Sequence, residues 1–67
     1  MEIEYGVVGF TDKNKIADFS RERLTEIGSK RIFNRLKNSG DYQCVVRRKE
    51  TEEYGIIING PIQTWEI

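Results

Sequence analysis

Apolar and polar positions alternate along the start of the chain. Between Ile3 and Val7, apolar side chains alternate with glutamate and glycine. A period of two residues is typical of a strand that buries one face. The pattern predicts a first strand over residues 2–10. Gly6 and Gly9 within it allow a bulge or the close approach of another chain segment.

The following stretch favours a helical period. Thr11 and Asp12 offer a helix N-cap, and no glycine or proline interrupts the chain from there until Gly28. At about 100° per residue, one set of apolar residues falls within about 160° of arc. This set consists of Ile16, Ala17, Phe19, Leu24 and Ile27. The spacing predicts a first helix over residues 12–27.

A second apolar cluster follows Gly28 on a different side of the helical wheel. Ile32, Phe33 and Leu36 centre about 180° away from the first set, so one straight helix cannot bury both sets against one surface. We therefore predict a second helix over residues 29–39, with glycine ending the first helix. One long helix that bends at the glycine is the alternative.

The period returns to two residues in the last third of the chain. The strands predicted there span residues 42–49, 54–58 and 62–67. Asn59-Gly60 is a strong hairpin signal because both residues tolerate positive φ angles. Pro61 directly after it favours an edge position for the last strand, since proline has no N–H to donate to a neighbour.

These elements predict an α+β fold in the order β-α(-α)-β-β-β. The sheet has four mostly antiparallel strands, and the helices pack on one face. A chain of 67 residues has room for one domain, so residues 1–67 are expected to form a single small domain.

The element order resembles that of the small toxin ribonucleases that cut messenger RNA on ribosomes. Gly40-Asp41-Tyr42, followed by an alternating strand and then basic residues, is similar to the second strand of those enzymes. The resemblance implies RNA cleavage as one possible activity. It is a resemblance of topology and carries no catalytic residue over to this chain.

The residue types present exclude several kinds of chemistry. The chain has no histidine, which removes Ser-His-Asp and Cys-His catalysis and histidine-containing zinc sites. Cys44 is the only cysteine, so it forms no internal disulfide and no thiolate metal cluster. We expect a non-catalytic protein with no cofactor, no metal and no small-molecule substrate. The acidic N-terminus and the lack of a long apolar run lead us to expect a cytoplasmic protein that does not bind membranes.

Zero net charge hides a segregation of charge along the chain. The segment from Lys13 to Lys49 contains all eleven basic residues and four acidic ones, a net of +7, and the two ends carry the other seven acids. A basic face of the second predicted helix, extended by the end of the next strand, is typical of phosphate-backbone binding. Its residues are Lys30, Arg31, Asn34, Arg35, Lys37, Arg47 and Arg48. Nucleic-acid binding, to RNA or DNA, is therefore an alternative function.

Apolar residues occur on both faces of the predicted sheet. Val45, Ile57 and Trp65 are expected on the face without helices, where a partner or a second copy would cover them. We therefore predict a small regulatory or inhibitory protein, of the kind bacteria or phages use, that binds a macromolecular partner. Another protein is the favoured partner, with the sheet face without helices or the edge near Pro61 as the contact surface. Self-association is an equal use of the mixed charge patches.

Overall fold

The computed structural model describes residues 3–12 and 16–67. Its elements are β1 (Ile3–Phe10), β2 (Phe19–Leu24), α1 (Glu26–Ser39), β3 (Cys44–Glu53) and β4 (Ile56–Glu66). The four strands form one antiparallel sheet in the order β2-β1-β3-β4. The prediction of a small α+β domain with a four-stranded antiparallel sheet is confirmed, although the order of the elements along the chain differs.

The first strand forms where the alternation predicts it. β1 pairs with β3 without interruption from Ile3 to Phe10. Its pairing with β2 shifts register between Tyr5 and Val7, around Gly6. A Cβ at Gly9 would lie 2.8 Å from a ring carbon of Tyr42. The two glycines thus serve the two purposes that the sequence allowed, a bulge and a close contact.

The predicted helix over residues 12–27 is wrong. Residues 19–24 form β2, which pairs with the outer side of β1, and Lys13 to Lys15 lie outside the described residues. The apparent helical face was misleading because Ile16 and Ile27 are both largely exposed. Pairing with β1 satisfies backbone groups of this segment, and an edge strand needs few apolar residues to do so.

One helix follows β2, and it begins before Gly28. Thr25 is the N-cap residue, and its Oγ1 accepts a hydrogen bond from the Gly28 N–H at 3.0 Å. Gly28 therefore lies in the first turn of α1 and ends no helix. The predicted second helix over residues 29–39 is confirmed. It ends at Gly40, whose φ of 78° is the left-handed conformation that glycine adopts without strain.

The last two predicted strands are one long strand, β4. The hairpin turn lies at Tyr54-Gly55, where both residues have positive φ angles, and Asn59-Gly60 lies inside β4. The glutamates before the turn remain in β3, since their side chains reach water from a protruding hairpin. β4 is an edge strand, so the predicted edge position of Pro61 is confirmed.

The observed order, β-β-α-β-β, removes the basis for the ribonuclease resemblance. That resemblance required a helix directly after the first strand and a three-stranded meander at the end. In the structure, the element directly after β1 is the strand β2, and the chain ends with the two-stranded hairpin of β3 and β4.

The core lies between α1 and the two central strands. Val7 and Val45 from the sheet meet Phe33 and Leu36 from the helix, and all four are buried. A helix is about 10 Å wide and neighbouring strands are about 4.8 Å apart, so one helix covers about two of the four strands. Both flanks of the helix-bearing face and the whole opposite face therefore lack a covering element among the described residues.

Candidate interaction surfaces

The strand register assigns each side chain to one of two sheet faces. Residues opposite each other on antiparallel strands share a face, and successive residues alternate. We call the face away from α1 the open face. Its residues on β1, β3 and β4 are Glu4, Gly6, Val8, Phe10, Cys44, Val46, Arg48, Glu50, Glu52, Ile57, Asn59, Pro61, Thr64 and Glu66.

The open face has an apolar centre. Val8 and Cys44 are buried there, and Val46 is half-buried, although α1 packs on the other side of the sheet. Ile57 lies toward the hairpin end of the same face and is 68% exposed. The exposed apolar surface of this face therefore lies at Ile57 and not at the buried centre, and exposed apolar surface of this kind is a feature of interaction sites.

An acidic groove borders this apolar centre at the hairpin end. The groove has a volume of about 640 Å³. Its lining residues are Glu4, Glu22, Arg23, Glu50, Thr51, Glu52, Gly55 and Ile57. Four carboxylates against one guanidinium give it a negative potential that favours cationic groups. Within residues 3–12 and 16–67, no group of acidic or cysteine side chains has a geometry that would hold a metal ion.

Two residues of the predicted partner face lie on the opposite side of the sheet. Val45 is fully buried beneath α1, and Trp65 pairs with it and packs against the core. Only Ile57 is on the open face. The local sequence is apolar at Cys44, Val45 and Val46, so alternation alone leaves two possible phases, and contact with α1 selects the one that buries Val45.

The basic side chains of α1 are where the sequence predicts them. All five predicted contact residues on the helix are exposed. They are Lys30, Arg31, Asn34, Arg35 and Lys37. Lys30 Nζ lies 3.6 Å from a carboxylate oxygen of Glu26, one helical turn earlier. An exposed i,i+4 pair of this kind contributes little stability and leaves the surface cationic.

Arg47 does not belong to this basic surface, because it is buried. Its Nε donates to Ser29 Oγ at 2.9 Å, and its Nη1 donates to Gln63 Oε1 at 3.2 Å. Its guanidinium carbon lies 5.3 Å from the centre of the Tyr5 ring, within range of a cation–π contact. Arg47 is thus a polar part of the core.

Arg48 points the other way, to the open face, so the two adjacent cations are separated by the sheet. Its Nε is shielded from water and has no hydrogen-bond partner among the described residues. This donor lies on the same face as the carboxylates of Glu50 and Glu52. The predicted extension of the basic surface by Arg47 and Arg48 is therefore wrong.

A second groove lies on the helix-bearing face, between α1 and β2. It has a volume of about 660 Å³. Its lining residues are Phe19, Arg21, Leu24, Ile32, Arg35, Leu36, Ser39, Asp41 and Tyr42. The rings of Phe19 and Tyr42 meet edge to face, with centres 6.4 Å apart. The sequence did not predict this groove, because it exists only when residues 19–24 are a strand.

Comparisons with models of known protein families, with curated proteins and with solved structures find no match for this chain. Among the described residues, no helix is long and apolar enough to cross a membrane.

Proposed function

We propose that this chain is a small non-catalytic regulatory protein that binds another protein through the open face. The observation that carries the proposal is Ile57, which is 68% exposed on that face beside the acidic groove and has no covering element among the described residues. Burial of such a surface against a partner supplies the main driving force for association.

The acidic groove beside the apolar centre indicates the chemistry of the partner. Glu50 and Glu52 project from β3 on the same face as Ile57, so one bound segment would meet apolar contact and negative charge together. A partner with apolar side chains next to lysine or arginine fits this surface. Charge of this kind sets orientation and association rate more than affinity.

The residue inventory also supports binding without catalysis. The chain has no histidine, and its cysteine is buried with Sγ 3.9 Å from Glu66 Oε1. A nucleophilic cysteine needs an exposed, electropositive environment, which is the opposite of this one. The described residues thus offer no activated nucleophile at either groove.

We expect Ile57→Asp to abolish capture of the protein partner in a pull-down from host lysate treated with nuclease. The change places a charge in the apolar part of the open face and adds to the negative potential of the groove. Bound proteins are identified by mass spectrometry and compared with those captured by the parent chain.

The matched control for this experiment is Ile16→Asp, because Ile16 is exposed and lies outside the sheet. It should leave capture unchanged. Circular dichroism spectra that match for the three proteins establish that folding is retained. If Ile57→Asp retains every partner, the open face is not the binding surface.

The exposed basic side of α1 favours nucleic-acid binding as the second candidate function. Lys30, Arg31, Arg35 and Lys37 would contact phosphates, and Asn34 lies among them to contact sugars or base edges. This function predicts that affinity for duplex DNA falls with salt, with a log–log slope near −0.9 for each neutralised phosphate.

A fluorescence-anisotropy titration with DNA and RNA checks this second function. An Arg31→Ala/Arg35→Ala variant should weaken binding for all sequences and reduce the salt slope by about 2, because each removed guanidinium leaves one phosphate without its cation. Asn38→Ala, on the same helix, is the control that leaves the slope unchanged. Absence of binding at about 50 mM salt, where attraction to phosphates is strong, excludes this function.

A further inference from the structure

No strand among residues 3–12 and 16–67 pairs with the outer edge of β4. β4 is the last strand in the sheet order and contains 11 residues, which makes it roughly 36 Å long at 3.3 Å per residue. Most of its apolar side chains are exposed: Ile56, Ile57, Ile58 and Ile62. An edge of this kind presents a row of backbone donors and acceptors that an extended strand satisfies.

The two edges of this sheet differ in charge. β2, at the other edge, carries Arg21, Glu22 and Arg23 in the middle of six residues. Such charges are how proteins prevent unwanted strand pairing. β4 has no basic residue, and its only acidic residue, Glu66, lies at its C-terminal end. β4 has Pro61 and a register shift near its middle, which limit pairing there, but its two flanks carry no charge before Glu66 and remain suited to pairing.

On the helix-bearing face, the apolar side chains of β4 lie near the two ends of the strand. Ile56 and Ile58 pair with alternate residues of β3 and share the helix-bearing face with Trp65. Ile58 is half-exposed there, as is Ile3 two strands away, since α1 packs over the middle of the sheet. We call these three residues, Ile3, Ile56 and Ile58, the hairpin shelf.

We propose that β4 pairs antiparallel with β4 of a second copy of this chain, across a two-fold axis perpendicular to the sheet. The pairing joins two four-stranded sheets into one of eight strands. It brings Ile56 and Ile58 of each hairpin shelf next to Trp65 of the other copy, on the same face. Each apolar end of β4 therefore meets the opposite apolar end, which makes the strand complementary to itself.

Charge and backbone chemistry both favour a second copy as the occupant. The net charge of the chain is zero, so two copies have no overall repulsion. The two Glu66 carboxylates lie at opposite ends of the strand pair. Pro61 lacks an N–H and lies near the middle of β4, so the axis falls where the ladder is weakest and the two flanks supply the hydrogen bonds.

The interface goes beyond the proposed function and does not depend on it. Pairing along the β4 edge leaves the acidic groove open on the face of the sheet. Ile57 itself lies on β4, so the mass of Ile57→Asp is measured by light scattering as well. The dimer is measured on the purified chain alone, whereas the partner is captured from lysate, so failure of either result is distinguishable from failure of the other.

The first test measures molecular mass by light scattering after size-exclusion chromatography, over a range of protein concentrations. We expect a species of twice the 7.9 kDa chain mass at high concentration. Ile56→Lys/Ile58→Lys should give the monomer mass, because four buried lysines would oppose pairing. Ile16→Lys/Ile27→Lys is the matched control, with the same added charge at exposed residues outside the sheet, and should remain dimeric.

The second test is a disulfide across the axis. A Cβ at Gly60 meets nothing within 4 Å, and the φ of Gly60 is not in the left-handed region, so Gly60→Cys is tolerated. We place the two-fold axis at Gly60, so that the two Gly60 residues lie opposite each other, within the roughly 4.4–6.8 Å Cα separation that a disulfide requires. Mild oxidation should give a covalent dimer on a non-reducing gel. Ile16→Cys is the control, which should stay largely monomeric under the same oxidation.

Each outcome decides the proposal. A monomer mass for the parent chain at every concentration overturns it. A dimer that survives Ile56→Lys/Ile58→Lys, or that gives no Gly60→Cys disulfide while it is still dimeric by light scattering, shows that another surface forms the interface and also overturns it. Circular dichroism of each variant establishes that a loss of dimer is not a loss of fold.

Discussion

Phe33→Ala is expected to lower the free energy of unfolding by about 3–5 kcal/mol. Phe33 is 1% exposed and is the largest fully buried side chain of the described residues. It lies between α1 and the central strands, where Val7 and Val45 form the other wall. Removal of the ring leaves a cavity that the sheet cannot close, since the paired strands hold their spacing. A domain of this size has a total stability of about 3–10 kcal/mol, so this variant is at the limit of folding.

Urea unfolding followed by circular dichroism measures this effect. Asn34→Ala is the matched control, because Asn34 is the next residue of α1 and is exposed, and its change should stay within about 0.5 kcal/mol. If Phe33→Ala does not fold, Phe33→Leu supplies a graded value, since a leucine fills most of the site and should cost about 1–1.5 kcal/mol. A loss below about 1 kcal/mol for Phe33→Ala would contradict the packing described for the core.

The sequence predicts an element correctly where its pattern depends on that element alone. β1 and the later part of α1 have a clear period, and Gly40 and Pro61 have conformational limits that act locally. The segment before the helix was assigned wrongly because its conformation depends on a distant neighbour. Residues 19–24 become a strand through hydrogen bonds to β1, and no local pattern records that pairing.

The turn of the C-terminal hairpin shows a second limit. Asn59-Gly60 and Tyr54-Gly55 are both two-residue segments that end in glycine. Asparagine is the better turn residue of the two, yet the turn forms at Tyr54, which adopts a φ of 53°. The decisive factor is the length over which β3 pairs with β4, ten pairs that a turn at Asn59 would prevent from forming.

The sequence predicts the candidate site only in part, because alternation in a strand does not show which face of the sheet each residue occupies. Exposure of Arg31 and Arg35 on α1 could be predicted, because helical period places them opposite Phe33 and Leu36, and Lys30 and Lys37 lie at the border of that exposed side. The positions of Val45 and Arg47 could not, since a run of three apolar residues before two arginines fits either phase of a strand. Arginine usually lies in contact with water, so the pattern gives no reason to place Arg47 beneath a helix. Serine is a common residue, so the presence of Ser29 in the sequence does not indicate that it is the partner of a buried arginine.

We expect Ser29→Ala to lower the free energy of unfolding by about 2–3 kcal/mol, because it removes the polar contact between Ser29 and Arg47. Ser29 is fully buried, and its Oγ accepts from Arg47 Nε at 2.9 Å. Without the hydroxyl, a charged donor remains buried without its partner, which costs more than the hydrogen bond itself contributes. The higher helix propensity of alanine offsets only about half a kcal/mol.

Ser39→Ala is the matched control for this change. Ser39 lies in the same helix and its Oγ donates to the carbonyl three residues earlier at 2.8 Å, as Ser29 Oγ does at 2.7 Å. Ser39 is exposed, and its Oγ accepts from the solvent-accessible Asp41 N–H at 3.2 Å where Ser29 Oγ accepts from a buried cation, so its replacement should cost well under about 1 kcal/mol. The difference between the two serines therefore isolates the interaction with Arg47.

A double-mutant cycle with Arg47→Met tests the cause. Methionine keeps much of the arginine's length and removes the charge, so no buried donor is left when Ser29 is also alanine. We expect Ser29→Ala to cost less than about 1 kcal/mol in the Arg47→Met background, a coupling of about 2 kcal/mol between the two sites. Urea unfolding of the four proteins measures it. Equal costs in both backgrounds would mean that Ser29 stabilises the fold through its packing and not through the arginine, because removal of the charge would then have changed nothing.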